Sequence, residues 1–166
     1  NLFVASFIGS PAMNVVEATL DGDSLRIGSS TLALPSQVLS ARPALAGYAG
    51  RTLAVGIRPE ALDDSALRNG DSGRLRGVVS AVEALGPEQL AYVNVEAKPV
   101  LVDDVVEGLV DAEQADELAE LTSADGRATL VARLDASASL RPDEPIELAV
   151  DLGKLHFFDL ASGATI

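Results

Sequence analysis

The sequence has no cysteine, no tryptophan, a single methionine and a single histidine. Without thiols it can form neither a disulfide framework nor a thiolate metal site, which fits a reducing compartment. A lone histidine, His156, is a poor nucleus for a metal centre. Basic residues are also scarce: 12 Lys and Arg stand against 25 Asp and Glu, a net charge of −13. That balance argues against a nucleic-acid partner, because phosphate binding needs clustered cations that release counterions. It equally disfavours adsorption to anionic lipid. No long apolar run exists. Leu2 to Ile8 is far short of a membrane span and has no basic segment before it, so it reads as neither an anchor nor a secretory signal.

A phosphate loop is missing too. That loop needs a Gly, four residues, then Gly-Lys-Ser/Thr, so that backbone N–H groups cradle the phosphates. The only Gly-Lys, Gly153-Lys154, is followed by Leu155, and Leu148 stands five positions before Gly153. The chain itself is expected to hydrolyse no ATP, to hold no metal and to need no cofactor.

What is present is apolar and alternating. Of the 166 residues, 48% are hydrophobic but only 4% aromatic, so the interior must be built from Val, Leu, Ile and Ala. Leu53, Val55 and Ile57 alternate with Thr52, Ala54 and Gly56; Ala91, Val93 and Val95 alternate with Tyr92, Asn94 and Glu96. Leu130, Ala132 and Leu134 alternate with Val131 and Arg133, and Ile146, Leu148, Val150 and Leu152 with Glu147, Ala149 and Asp151. Period two with one polar face predicts antiparallel, half-buried strands. Turn chemistry punctuates them at Asp21-Gly22-Asp23, Gly28-Ser29-Ser30, Asn69-Gly70-Asp71, Gly86-Pro87 and Ser162-Gly163. Many short strands with regular turns predict an all-β barrel or sandwich.

Three segments depart from this pattern. Leu2 to Ile8 reads as a short helical lead-in that Gly9-Ser10-Pro11 ends. Ser36 to Tyr48, interrupted by Pro43, reads as loop with one helical turn. Val110, Gln114, Leu118 and Leu121 recur at near-helical spacing and predict one short surface helix. A weak repeat relates Thr52–Glu60 to Ile146–Lys154: each is an apolar strand running into a Gly- or Pro-bearing bend, followed by acidic residues, Asp63-Asp64 and Asp159. It fits a tandem of two related halves, about 13–70 and 71–166, and equally a chance likeness among alternating strands.

Two sequences imitate functional motifs. Gly70-Asp71-Ser72-Gly73 resembles a serine-protease nucleophile site, but His156 lies on the wrong side of it in the chain, and four turn-forming residues between strands suffice as an explanation. Asp103 to Glu120 carries eight carboxylates and no Lys or Arg. Their offsets do not match a calcium loop, and the run reads as a solvated acidic face.

Two stretches carry more information: Asn1-Leu-Phe-Val-Ala-Ser-Phe-Ile-Gly-Ser-Pro-Ala-Met-Asn14 and Gly56-Ile-Arg-Pro-Glu60. With Val82-Glu83-Ala84-Leu85-Gly86 and Leu155-His156-Phe157-Phe158-Asp159, in that order, they resemble the C-terminal regulatory (OB-type, TOBE-like) domain of the ATPase subunit of ABC carbohydrate importers of the maltose-transporter type. The acidic run between Asp103 and Glu120 departs from that pattern. The resemblance implies an all-β, OB-type, molybdate-binding-like barrel at 13–166, with 1–12 as a lead-in from a nucleotide-binding domain not contained in this chain. ATP and Mg would belong to that other domain. It further implies a cytoplasmic location at the inner face of the membrane, a homodimer, contact through the nucleotide-binding domain with membrane permease subunits, and docking of a regulatory protein.

On this reading the candidate interface comprises Phe3, Phe7, Ser10, Pro11, Met13 and Asn14 with the rim Gly56, Ile57, Arg58, Pro59 and Glu60. Exposed Val, Leu and Met there would drive association, since interface cores lose charge and gain apolar area. Pro59 ends ladder pairing and biases Arg58 to an extended conformation, so a strand terminus held by an Arg hydrogen bond is the plainer role for this rim. The alternative is a small-ligand or oxyanion-binding module, with donors at Gly9-Ser10 and at Gly28-Ser29-Ser30 beside Arg26.

Overall fold

The computed structural model describes residues 2, 9–67, 73–100, 122–123 and 126–166. The alternating stretches pair as expected, antiparallel throughout the described ladders. The strands are β1 (Asn14–Asp21), β2 (Ser24–Ile27), β3 (Ser30–Ala33), β4 (Thr52–Ile57) and β5 (Leu62–Asp64). They continue with β6 (Gly73–Ala84), β7 (Glu88–Val95), β8 (Thr122–Ser123), β9 (Arg127–Asp135), β10 (Pro145–Val150) and β11 (His156–Phe158). One sheet runs β11-β4-β1-β2-β3 and the other β5-β10-β6-β7-β9-β8.

The two sheets are interlocked. The chain leaves β4, in the first sheet, through a 3-10 turn at Pro59–Ala61 and enters β5, which pairs with β10 in the second. It leaves β10 through a 3-10 turn at Leu152–Lys154 and enters β11, which pairs with β4 in the first. Each sheet is completed by a strand that follows directly from the other. The crossings touch: Asp151 N–H donates to Ala61 O at 2.9 Å. Side chains of both inner faces fuse into one core, with Val16, Leu25, Leu53 and Val55 meeting Leu75, Val93, Leu130 and Leu148, all at most 1% exposed. The all-β, OB-type expectation is therefore met, and the weak repeat between Thr52–Glu60 and Ile146–Lys154 falls on the two crossing segments.

Two expectations need correction. β4 is not half-buried: Ala54 and Gly56, on its supposed polar face, are as buried as Leu53, Val55 and Ile57. A second cluster of Leu2, Met13, Ala54 and Phe158 covers that outer face. Small residues admit it, since a Cβ on Gly56 would lie 2.6 Å from Met13 Cε and 3.1 Å from the Phe158 ring. Alternation alone assigns such small residues to a polar face. Secondly, Ser36–Tyr48 is more ordered than a loop with one turn. It forms α1 (Ser36–Ala41) and then a 3-10 helix, Pro43–Tyr48, which Pro43 opens with its preset φ. The lead-in residues 3–8 and the helix assigned to Val110–Leu121 lie outside the described residues, as does most of the Gly70–Gly73 motif.

The turn signals fall where strands reverse. Gly28, between β2 and β3, has φ +55°, and a Cβ there would sit 1.5 Å from Glu96 O, just past β7. Only glycine permits both the left-handed backbone and this approach of one sheet's turn to the other sheet. Gly22, between β1 and β2, has φ +62° but nothing within 4 Å. Gly22→Ala should therefore cost the backbone penalty alone, about 1–2 kcal/mol, whereas Gly28→Ala should cost roughly 2–4 kcal/mol because Glu96 must also move. Urea denaturation of the two variants checks this; equal losses would mean that the turn does not press on Glu96.

Candidate interface site

Asn14 opens β1 on the phase that points Val16, Ala18 and Leu20 inward, so its amide enters the interior at 9% exposure. There it meets two backbone carbonyls and a backbone amide. Its Nδ2 donates to Ile57 O and to Val131 O, each at 2.9 Å, and its Oδ1 accepts from Val131 N–H at 2.7 Å. One side chain thereby ties β1 and β4 of the first sheet to β9 of the second. A buried amide satisfied at three points both stabilises and specifies the docking of the sheets.

The neighbouring candidates are buried within the same chain. Met13 is 5% exposed and Ile57 0%. Gly56 and Pro59 are also buried, with Pro59 opening the 3-10 turn that ends β4's course. These residues are not the exposed apolar surface expected of an interface; they pack Leu2, Phe158 and the crossing between sheets. Of the remaining candidates, Ser10 and Glu60 are exposed, and Pro11 and Arg58 half-buried. Phe3 and Phe7 lie outside the described residues. The loop carrying Ser10 is tied down from the other sheet, because Arg133 Nη2 on β9 donates to Ser10 O at 3.1 Å.

Around this rim the charges are arranged asymmetrically. His156 lies on β11, at the edge of its sheet, paired across from Gly56. Burial and the positive charges of Arg58 and Arg42 hold its pKa below the usual histidine value, with Glu60 acting in the opposite sense. The far end of β11 is closed by the C-terminal segment: Ile166 N–H donates to Phe157 O at 2.9 Å, and Leu2 N–H to Gly163 O at 2.8 Å. Asp159 organises that turn. Its carboxylate accepts from the Ser162 hydroxyl and N–H, both at 2.8 Å, from the Tyr48 hydroxyl at 2.9 Å and from Ala161 N–H at 3.1 Å.

Among the described residues no group of three or more His, Asp or Glu could hold a metal ion, and no helix is long and apolar enough to cross a membrane. The rim can position hydrogen-bond donors and charge, but it brings together no nucleophile with a base. Sequence reasoning passed over two parts of it. The Asn14 clamp had a signal, namely a polar residue on the inward phase of an apolar strand. The Tyr48–Asp159 bond, spanning 111 residues, had none.

Two outcomes follow from this geometry. Asn14→Ala should destabilise the protein by about 2–4 kcal/mol, since it removes three buried hydrogen bonds at once; a thermal or urea midpoint close to the parent's would contradict the clamp. For Asp159, the Ser162 hydroxyl, Ser162 N–H and Tyr48 hydroxyl lower the pKa from 3.8 to about 2 in the folded state. A depressed carboxylate contributes stability that is present above its unfolded pKa and is lost as pH falls through its folded one. Stability should accordingly decline between pH 3.8 and about 2, and Ser162→Ala should flatten that decline in acid titrations followed by circular dichroism. An unchanged slope would remove Ser162 from the account.

Comparison with known proteins places the chain. The MalK OB fold domain family matches residues 9–62, and the TOBE domain family matches residues 55–113. The trehalose import ATP-binding protein SugC of Mycobacterium tuberculosis is 37% identical over 176 residues, covering 100% of this chain and 41% of that protein. The alpha-glucoside transport ATP-binding protein AglK of Rhizobium meliloti is 33% identical, covering 96% of this chain and 35% of AglK. The trehalose/maltose import ATP-binding protein MalK of Thermococcus litoralis is 29% identical, covering 100% of this chain and 37% of its own length. The chain thus spans about two-fifths of these relatives. Among solved structures, the cytoplasmic molybdate-binding protein ModG superposes with a TM-score of 0.53 at 12% identity, covering 87% of this chain and 94% of ModG, a likeness of fold. With interlocked OB-type sheets and relatives matched along its whole length, the chain belongs to the OB fold and TOBE domain family of the ATP-binding subunits of ABC sugar importers.

Proposed function

We propose that this chain is the regulatory and dimerisation domain of a carbohydrate importer's ATP-binding subunit. It holds two such subunits together at the inner face of the membrane while their nucleotide-binding domains open and close. The supporting observation is full-length similarity to sugar-import ATP-binding proteins in a chain that contains no phosphate loop of its own. ATP, Mg and the permease contacts belong, on this reading, to the nucleotide-binding domain of the same subunit. Docking of a regulatory protein on the barrel surface is a second element of the proposal.

The burial of Met13, Asn14, Gly56, Ile57 and Pro59 narrows the contact surface. The exposed or half-exposed part is Ser10, Pro11, Arg58 and Glu60, with Phe3 and Phe7 retained as its apolar component on sequence grounds. A polar rim around a small apolar centre is the usual make-up of a protein–protein contact. Light scattering of the purified chain from low to high micromolar concentration tests the proposal. A concentration-dependent dimer is expected, with Phe3→Ser and Phe7→Ser together weakening it at least about tenfold, since buried aromatic anchors dominate interface energetics. A monomer at every concentration would contradict the dimerisation role.

A further inference from the structure

On one side β6 outruns its neighbour. It pairs with β7 from Gly77 to Ala84, but β10 lies against it only from Gly73 to Val78. The segment before β10 caps Val79, whose N–H donates to Glu144 O at 3.0 Å and whose carbonyl accepts from Asp143 N–H at 2.8 Å. Beyond Val79 a β-bulge inserts one residue before Ala81. The hairpin tip is closed across Gly86-Pro87, where Leu85 N–H donates to Glu88 O at 2.8 Å.

These two ends set the phase of the backbone between them. Directly opposed residues of an antiparallel ladder alternate between hydrogen-bonded and non-hydrogen-bonded pairs. Since Leu85 bonds to Glu88, Glu83 and Ala81 also direct their N–H and C=O groups to β7, opposite Leu90 and Tyr92. Val82 and Ala84 direct theirs the other way, along the line that β10 leaves open. Neither has a backbone partner there among the described residues. The stretch from Glu83 to Glu88 is exposed, and the apolar side chains of Val78 and Leu85 are 40% and 44% exposed.

The charge beside this edge is negative. Glu83 and Asp143 are exposed and have no cationic partner among the described residues. Glu88 and Glu144, by contrast, face Arg133 and Arg141 at 3.8 and 3.9 Å. We propose that the Ser80–Leu85 edge of β6 accepts, by strand addition, an extended segment of a partner protein that carries lysine or arginine. Main-chain hydrogen bonds to Val82 and Ala84 supply the attachment, Val78 and Leu85 apolar contact, and Glu83 and Asp143 the preference for cationic side chains. A second copy of this chain is the poorer occupant. Each copy carries a net charge of −13. A two-fold register that opposes Val82 to Ala84 also sets Glu83 against its own copy, and like charges directly opposite destabilise a ladder. The bulge and Glu83 are devices that blunt an edge against self-pairing. This surface goes beyond the dimerisation role and does not depend on it.

Amide hydrogen exchange of the whole chain, read residue by residue in 1H–15N spectra, tests the edge. The probe is a synthetic heptapeptide alternating lysine and valine, with a glutamate-for-lysine counterpart as control. In the free chain Val82 and Ala84 should exchange fast, while Ala81 and Glu83 are protected by β7. Saturating lysine peptide should slow Val82 and Ala84 at least about tenfold and leave Ala81 and Glu83 unchanged. The glutamate peptide should bind at least about threefold more weakly, and Glu83→Lys, an exposed change, should reverse that preference. Ala84→Pro removes an N–H that points away from β7, a place where an edge strand tolerates proline, and should abolish the slowing at Val82 with an unchanged circular dichroism spectrum. Protection of Val82 and Ala84 in the free chain, no slowing with peptide, or slowing that a folded Ala84→Pro variant retains would overturn the edge. Slowing that follows protein concentration alone would assign it to a second copy and overturn the proposed partner. Equal binding of the two peptides would overturn the cationic class.

Discussion

The rest of this structure depends on the reciprocal exchange of β5 and β11. β4 hands its successor to the second sheet and β10 hands its successor to the first, so neither sheet is complete until both crossings are made. The crossing turns are joined by the Asp151–Ala61 hydrogen bond, and the Asn14 amide adds a second tie from β1 and β4 to β9. Such pairings are distant in sequence, and their loop-closure entropy must be met before the contacts compensate for it. In return, the two inner faces are held in one register over a core that has almost no aromatic side chains.

This constraint explains why the Gly56–Glu60 stretch is mostly interior. It is the point where the chain turns from one sheet to the other, and three of its five residues have a packing duty there. Gly56 gives way to Met13 and Phe158, Ile57 offers its carbonyl to Asn14, and Pro59 starts the 3-10 turn. What reaches solvent is the charged remainder, Arg58 and Glu60. A surface built on such a fixed turn is positioned by the core and not by loop conformation. That suits a domain whose proposed task is to stay still while an attached domain moves.

Much of the fold could be read from residue order. Alternation located β7, β9 and β10, and the dipeptides at Gly22, Gly28, Gly86 and Gly163 marked real reversals, each with positive φ. The interface was less legible. Period-two reasoning assigns a face by polarity, and Ala54 and Gly56 look solvent-facing when they are in fact sites of close packing. The inward phase of Asn14 was visible, but its partners Ile57 and Val131 are 43 and 117 residues away and could not be inferred. Strand exchange likewise leaves no local mark: β5 and β11 are three residues each, too short to show any period.

If the exchange makes the two sheets one cooperative body, native-state hydrogen exchange is the direct measurement. Slowly exchanging amides in the β4–β11 ladder and in the β5–β10 ladder should share a single opening free energy, equal to that of global unfolding. Opening of one ladder at a clearly lower free energy, with the other still protected, would show that the sheets are separate units and would contradict the account.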